Sequence, residues 1–515
     1  MACYEIEFRV LRFEETNANA ASYDPETETC IGGYARLVTK VKELLVTKAD
    51  LNPIYLNAGD NFQGTLWYNI GRWNVTAQFL NMMNADAMTI GNHEFDHDVE
   101  GVVPFLENIH SPVVIANVDD SLEPTFQNRY KKSIVIEKFS RKIGVIGAIL
   151  RSTNTIAKTG KLAFSNEAQA VREEAARLTA EGVDIIVVLS HCGLDRDQEI
   201  ARLGGPNIDI IVGGHSHSFL YSGTDLPSID RPVGNYPVIE TQNDGHKVLI
   251  VQASAYAKYV GDITLYFDEN GIVQHHEGAP IFLSNDVVPD PEVVAAIQPW
   301  KEIIDISGKR VVGSLKVTGS SYGCYQGECI MGTLQAEGML HSLLESDDEG
   351  WAYATIALTN PGGVRGTLSP GEVTYADLVS TTPFENTIDT MELQGKHIKR
   401  ALEFSTSWDS PSILQVAGIK VVFNMTLPAY QRIVSLDVLC RLCKVPRYEP
   451  IDDNTWYRIA VNNFLLNNGD NFAMIRDNGL NHKVGKVDID TLTEYFEKKS
   501  PITLVSPRGR TTILR

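Results

Sequence analysis

Four apolar runs in the first half of this chain each end on side chains able to bind a metal ion, and that repetition limits the fold more than any other feature. The runs lead into Asn57-Ala58-Gly59-Asp60, Gly91-Asn92-His93-Glu94, Ser190-His191-Cys192-Gly193 and Gly213-Gly214-His215-Ser216-His217. A short apolar segment that stops at glycine or a polar residue reads as a buried sheet strand emerging into a loop. The carboxyl ends of strands are where open α/β sheets build their sites. Four such ends predict one converging pocket of carboxylate, amide oxygen and imidazole. That donor set needs no cysteine and suits a hard or borderline divalent cation used in hydrolysis, not a structural zinc knot.

From residue 33 to about 285 apolar runs alternate with amphipathic stretches, the pattern of α/β layering. Strands are expected at Ile54 to Leu56, Ala85 to Ile90, Ile143 to Leu150, Val183 to Leu189 and Ile208 to Val212, and helices at Ala35 to Leu45 and Asn166 to Ala180. Met1 to Phe13 alternates charged and apolar residues, so it predicts a strand, with neither the basic start nor the apolar run of a secretion signal. Asp286 to Pro291 is acidic and proline-bearing, and Glu292 to Ile306 then has helical spacing, as a linker helix would. A second α/β domain follows. The predicted division is residues 1–287, a linker helix over 288–308, and residues 309–515.

A chain of 515 residues exceeds one ordinary core, and 43% hydrophobic residues suffice for two. The formal net charge of -20 argues against nucleic acid as a partner, since such binders present a basic face. A phosphate substrate must then be held by local cations. No run reaches the roughly 18 apolar residues of a membrane span, and no hydrophobic tail of the lipid-anchor type follows Arg510, so a soluble chain is expected. Among seven cysteines, Cys324 with Cys329 and Cys440 with Cys443 lie close in sequence, with no nearby histidine to complete a zinc site. Local disulfides and an extracellular setting are expected. The glycosylation sequons Asn74-Val75-Thr76 and Asn424-Met425-Thr426 agree.

In Gly91-Asn92-His93-Glu94-Phe95-Asp96, glycine permits a tight exit from the strand, Asn92 offers an amide oxygen to a metal, and Asp96 stands within reach of the His93 imidazole to orient it. His215 and His217, two apart in an extended segment, face one way and with His191 read as metal ligands; Asp60 joins them through its company. In the second domain Arg365 follows the turn Asn360-Pro361-Gly362-Gly363 and can clamp phosphate. Phe384 and Phe464 suit either a core or two faces around a base, with Asp470 accepting from ribose hydroxyls.

Asn57 to Thr65, Gly91 to Asp96, Gly213 to Ser216, Val251-Gln252-Ala253 and Lys258-Tyr259-Val260-Gly261 together resemble the 5'-nucleotidase family of binuclear metallophosphoesterases, which includes animal ecto-5'-nucleotidases and secreted arthropod apyrases. The resemblance runs from about Arg12 to the C-terminus. It implies a four-layer αββα metallophosphatase domain, a linker helix, and a C-terminal α/β nucleotide-binding domain that rotates to bring nucleotide to the metals. By motif, Asp60 would bridge two divalent ions, zinc by expectation. Asn92, His191 and His215 would complete one site, and His217 would serve the other. His93 with Asp96 would stabilise the phosphoryl transition state. Arg365 would hold phosphate, Asn360 would contact the base or nearby groups, Phe384 and Phe464 would stack on the base, and Asp470 would bind ribose. Metal-activated water would release phosphate from a 5'-nucleotide, AMP as first choice and ADP or ATP in an apyrase. A homodimer is a possible assembly.

Two positions depart from the family. Its first strand ends in an Asp-x-His pair that binds metal, whereas Glu7 to Glu15 holds neither residue. The expectation is a start that is not native; the alternatives are a chain with one metal bound and a nucleotide-binding paralogue with impaired catalysis. Cys30 also lacks the partner that the family would place just upstream. Tyr325, inside the Cys324 to Cys329 loop, stands where ecto-nucleotidases usually carry a phosphate-binding arginine, which leans toward apyrase.

Overall fold

A computed structural model describes residues 2–6, 16–17, 30–62, 66–138, 141–228, 230–255, 257–344, 350–407, 411–466, 468–503 and 509–515. The chain divides into two compact units, Met1–Glu302 and Ile303–Arg515. The division falls within the 18-residue helix Pro291–Gly308.

The first unit holds two six-stranded sheets. In one, Ala2–Ile6 runs between antiparallel Tyr259–Phe267 and parallel Ile54–Asn57, with Ala87–Met88 beyond. Of the alternation over Met1 to Phe13, Ala2–Ile6 forms a strand inside a sheet, and the rest lies outside the described residues. The other sheet runs Val238–Thr241, Lys247–Val251, Ile210–Gly213, Ile185–His191, Arg141–Ile149, Ser133–Lys138, and its four middle strands are parallel.

Period-two alternation decides what each face of that second sheet touches. Ile143, Val145, Ile185, Val187, Leu189, Ile210, Val212, Leu249 and Val251 meet Ile54, Leu56, Ile263 and Leu265 of the first sheet in one core. The intervening Ile146, Ile186, Val188, Ile211, Val248 and Ile250 face Val171, Ala175 and Leu178 of helix Glu167–Ala180 and Ile200 and Ala201 of helix Leu194–Leu203. Helix Tyr34–Thr47 packs against Tyr259–Phe267 and buries Leu37, Val38, Val41 and Leu44. Helix, sheet, sheet and helix make the expected four layers.

The strand expected over Ala85 to Ile90 shortens to Ala87–Met88. Its partner ends at Asn57, whose chain turns away at Gly59 with φ 88°, so after Thr89 N–H donates to Asn57 O (3.0 Å) little backbone remains to pair with.

The second unit has a five-stranded sheet, ordered Gln415–Ala417, Ile356–Thr359, Trp456–Asn462, Ile388–Gln394, Leu480–Lys483, and a four-stranded sheet of Tyr448–Pro450, Ile433–Leu439, Ile419–Asn424 and Thr511–Leu514. Leu358, Met391, Leu393, Ile459 and Val461 of the larger sheet share a core with Val421, Phe423, Leu436 and Val438 of the smaller. Disulfides join Cys324 to Cys329 and Cys440 to Cys443, as expected. The side chains of Cys3 and Cys30, and the departure at Glu7 to Glu15, lie outside the described residues. No helix among the described residues is long and apolar enough to cross a membrane.

Candidate active site

All four metal-type motifs lie at the carboxyl ends of strands: two in the first sheet (Ile54–Asn57, Ala87–Met88) and two in the second (Ile185–His191, Ile210–Gly213). Because the sheets face each other, their loops meet. Ligand atoms of Asp60, His191 and His215 lie within 4.8 Å of one another. Asp60 Oδ2 is 3.0 Å from His191 Nε2, and Asn92 Oδ1 is 2.9 Å from His215 Nδ1.

The His191 ring is oriented from behind, its Nδ1 lying 2.7 Å from the Ala58 carbonyl. A proton on Nδ1 makes that hydrogen bond and turns the lone pair of Nε2 toward the Asp60 carboxylate, the arrangement of a metal-binding histidine with its outer partner. Two lone-pair atoms held that close need a proton or a metal cation between them. Ligands about 2.1 Å from one cation and at right angles are about 3 Å apart, so these separations and the O,N donor set fit a divalent ion. His217 is in the same loop but outside the group of three.

The ligands sit on a strained backbone. Asp60 (φ 53°), His215 (φ 75°) and His217 (φ 54°) are all left-handed, a conformation costing on the order of 1–3 kcal/mol for a non-glycine residue and tolerated where the surroundings enforce it. Glu94, fully buried, supplies much of that enforcement. Its carboxylate accepts from Gly91 N–H (2.6 Å), Asp60 N–H (3.0 Å) and Asn61 N–H, tying the first two loops together. Burial, and then the charge of Asp60, push its pKa up to about 7. A Cβ on Gly91 would lie 2.1 Å from Asp60 Oδ1 and 2.6 Å from His191 Nε2, so only glycine fits there.

The second sheet's loops have their own brace. Gln252 Nε2 donates to Asp197 Oδ2 (3.0 Å) and to Gly214 O (3.1 Å), while its Oε1 accepts from Ser216 Oγ (2.9 Å) and Ser218 N–H (3.1 Å). Ser190 Oγ donates to Asp197 Oδ1 at 2.6 Å; burial raises that carboxyl to about 7. Sequence reasoning assigned no role to Glu94, Asp197 or Gln252. Gln252 follows the apolar strand Lys247–Val251, the same run-then-polar signal that marked the ligands.

His93 stands at the edge of this cluster. Its backbone N–H donates to Asp60 Oδ1 (2.9 Å) and its Nδ1 lies 2.7 Å from Asp96 Oδ2, so the expected pair forms and the carboxylate fixes the ring's direction.

In the second unit, Trp456–Asn462 runs parallel to Ile356–Thr359 and antiparallel to Ile388–Gln394, which collects the residues around 360, 384 and 464 at one sheet end. Asn360 is buried and bridges: its Nδ2 donates to Asp470 Oδ2 (3.2 Å), and its Oδ1 accepts from Asn462 Nδ2 (3.0 Å). Asn462, also not singled out from sequence, is the pivot, because its Oδ1 accepts from Leu465 N–H at 3.1 Å and starts the turn carrying Phe464. Burial raises the Asp470 pKa, opposed by Asn360 and by the charge of Arg365. Exposed Arg365 lies over the Phe384 ring, 4.9 Å from its centroid, so that ring serves a cation on one side. Phe464 is half-buried and touches the core, mixing the two alternatives left open for it. The Tyr325 hydroxyl comes within 3.5 Å of where a Gly362 Cβ would stand.

Known proteins bear on this arrangement. Residues 27–219 match the calcineurin-like phosphoesterase family, and residues 311–477 match the 5'-nucleotidase C-terminal domain. An apyrase of Tabanus yao is 46% identical over 98% of this chain and 92% of its own length. The human 5'-nucleotidase is 35% identical over 95% of this chain and 87% of its own. The crystal structure of a 5'-nucleotidase precursor from Thermus thermophilus superposes with a TM-score of 0.87 at 30% identity, covering 100% of this chain and 99% of that one. Two domain matches in the expected order, relatives aligned over nearly their whole length and a shared fold place this chain in the 5'-nucleotidase family of metallophosphoesterases.

Proposed function

We propose that this chain hydrolyses nucleoside 5'-monophosphates, AMP first, to nucleoside and inorganic phosphate. The observation that carries the reading is the cluster of Asp60, His191 and His215 on constrained loops where two sheets meet. Divalent ions, zinc by the borderline character of the donors, would be held by Asp60, Asn92, His191 and His215 at one position and by Asp60 and His217 at the other. When bound, such ions lower the pKa of a water and draw charge from a phosphoryl oxygen.

The chain's own residues do the rest. Asp60, pinned through its N–H by Glu94, keeps its two oxygens on separate tasks, one toward His93 N–H and one toward His191. His93, oriented by Asp96, faces the charge that shifts onto phosphoryl oxygens as water adds and the P–O bond to the nucleoside breaks. We assign Arg365 to phosphate, Phe384 and Phe464 to the base, Asp470 to ribose, and Asn360 to holding Asp470 in place. Two local disulfides support an extracellular location. Apyrase activity differs in the leaving group alone: a nucleoside mono- or diphosphate departs through its phosphate oxygen in place of the nucleoside. Phosphate release from AMP, ADP and ATP by the purified chain separates the readings: AMP turnover at least equal to that of ADP is expected. Release from ADP and ATP without AMP would replace this assignment, and release from none would mark a nucleotide-binding paralogue.

A further inference from the structure

The two glycosylation sequons lie in opposite kinds of local structure. Asn74 and Thr76 belong to helix Leu66–Leu80, past its kink at Arg72, and side chains two apart on a helix do not face each other. Thr76 is 1% exposed and its hydroxyl donates back to the Arg72 carbonyl (3.4 Å), while Val75 between the two is fully buried. One helical turn beyond Asn74, on the same side, Gln78 Oε1 accepts from Trp300 Nε1 (2.9 Å) of helix Pro291–Gly308. A bulky group on Asn74 would be set against that helix.

Asn424 instead ends strand Ile419–Asn424 and opens a turn. Its carbonyl accepts from Leu427 N–H (3.2 Å), and its side-chain Oδ1 accepts from both Thr426 N–H (3.0 Å) and Thr426 Oγ1 (2.7 Å). This is the turn that asparagine favours through its own side chain, made by four consecutive residues and so specified locally. It brings the asparagine and the hydroxyl of the sequon together and commits Oδ1. Nδ2, the atom that takes a sugar, has no hydrogen bond among the described residues. Thr426 is exposed. Three large apolar side chains stay at the surface nearby: Leu427 and Tyr430, in the connection closed by Asn424 N–H to Arg432 O (2.7 Å), and Leu514, paired with Asn424 across the sheet. A bulky, solubilising oligosaccharide at this position would cover apolar surface that the described chain leaves open.

We propose that Asn424 carries an N-linked oligosaccharide and that Asn74 stays largely bare. The donor is an oligosaccharide on the pyrophosphate of a polyprenyl carrier, met in the secretory pathway. A C–N bond forms between Asn424 Nδ2 and the anomeric carbon as that carbon's C–O bond to pyrophosphate breaks; the carrier pyrophosphate leaves with the bonding pair, and Nδ2 gives up one proton. The proposal rests on the extracellular reading, since only a chain on that route meets the donor. The test is glycopeptide mass spectrometry of the full chain secreted from animal cells behind an added secretion signal. Occupancy is read as the asparagine-to-aspartate change left by peptide N-glycosidase in heavy-oxygen water. Asn424 modified in most copies and Asn74 in few is the expected result. Asn424→Gln should remove the glycan from the intact mass and leave AMP hydrolysis at the parent level, whereas Asn74→Gln should change neither. The added signal delivers the chain to the donor whatever its native destination, so a bare Asn424 overturns the site without bearing on location. Equal occupancy of the two sequons, or the reverse order, would overturn it as well.

Discussion

The two places proposed to handle a nucleotide are built in opposite ways. At the metal loops, Asp60 and His191 have 0% exposure, and Glu94 and Gln252 hold the surrounding backbone through several hydrogen bonds each. At the proposed nucleotide end of the second unit, Arg365 is exposed, Phe384 and Phe464 are half-buried, and one chain of amides, Asn462 to Asn360 to Asp470, supplies the order. Reaction chemistry needs donors fixed before substrate arrives, since reorganisation would add to the barrier. Stacking on a base tolerates displacement because every base presents a π face. Rigidity is therefore concentrated where charge moves, and the recognition surface can stay softer.

That contrast can be broken by substitution. Asp60→Asn should remove the largest share of activity, on the order of 10³-fold or more in kcat, with loss of bound metal measured by mass spectrometry; full metal occupancy with normal turnover would dissolve the distinction. Gln252→Ala touches no proposed ligand, yet should cost roughly 10–100-fold in metal affinity or activity because the loop it braces relaxes. Phe464→Ala should instead raise KM by roughly 5–150-fold, the equivalent of about 1–3 kcal/mol of stacking, and leave kcat near its parent value. A collapse of kcat with KM unchanged would mean the second unit is as tightly coupled to chemistry as the first.

A different kind of effect, on stability and not on turnover, lies in the framework beneath the metal loops. Asp209, whose carboxylate accepts from Ile186 N–H at 2.8 Å, has its pKa pushed up to about 8 by burial. The folded pKa is raised above the unfolded one, so stability is highest below about pH 4 and declines as pH rises toward about 8, by at most about 1.4 kcal/mol per pH unit from this group. Asp209→Asn keeps an acceptor and should flatten that decline. Urea unfolding of both proteins at pH 5 and pH 8 checks it: the variant gains on the parent at the higher pH, and an equal difference at both would refute the assignment.

How much of this was legible beforehand follows the same division. Asp60, Asn92, His191 and His215 could be read because each ends its own apolar strand, a local signal that survives without knowledge of the fold. Glu94 could not, since its work is to accept amide hydrogens from Asp60 and Asn61, more than 30 residues away in sequence. Asn462 was missed for the same reason. The short Ala87–Met88 strand reflects where its neighbour stops, which hydropathy does not record. Phe464 stayed ambiguous because the side chain itself is, half against the core and half at the surface.

The most direct test of hydrolysis by a metal centre at these loops is phosphate release from AMP before chelation, after it, and after one divalent cation is restored, with bound metal counted at each stage. The structure predicts release that vanishes with the metal and returns with it. Release that continues undiminished in metal-free protein would contradict the account.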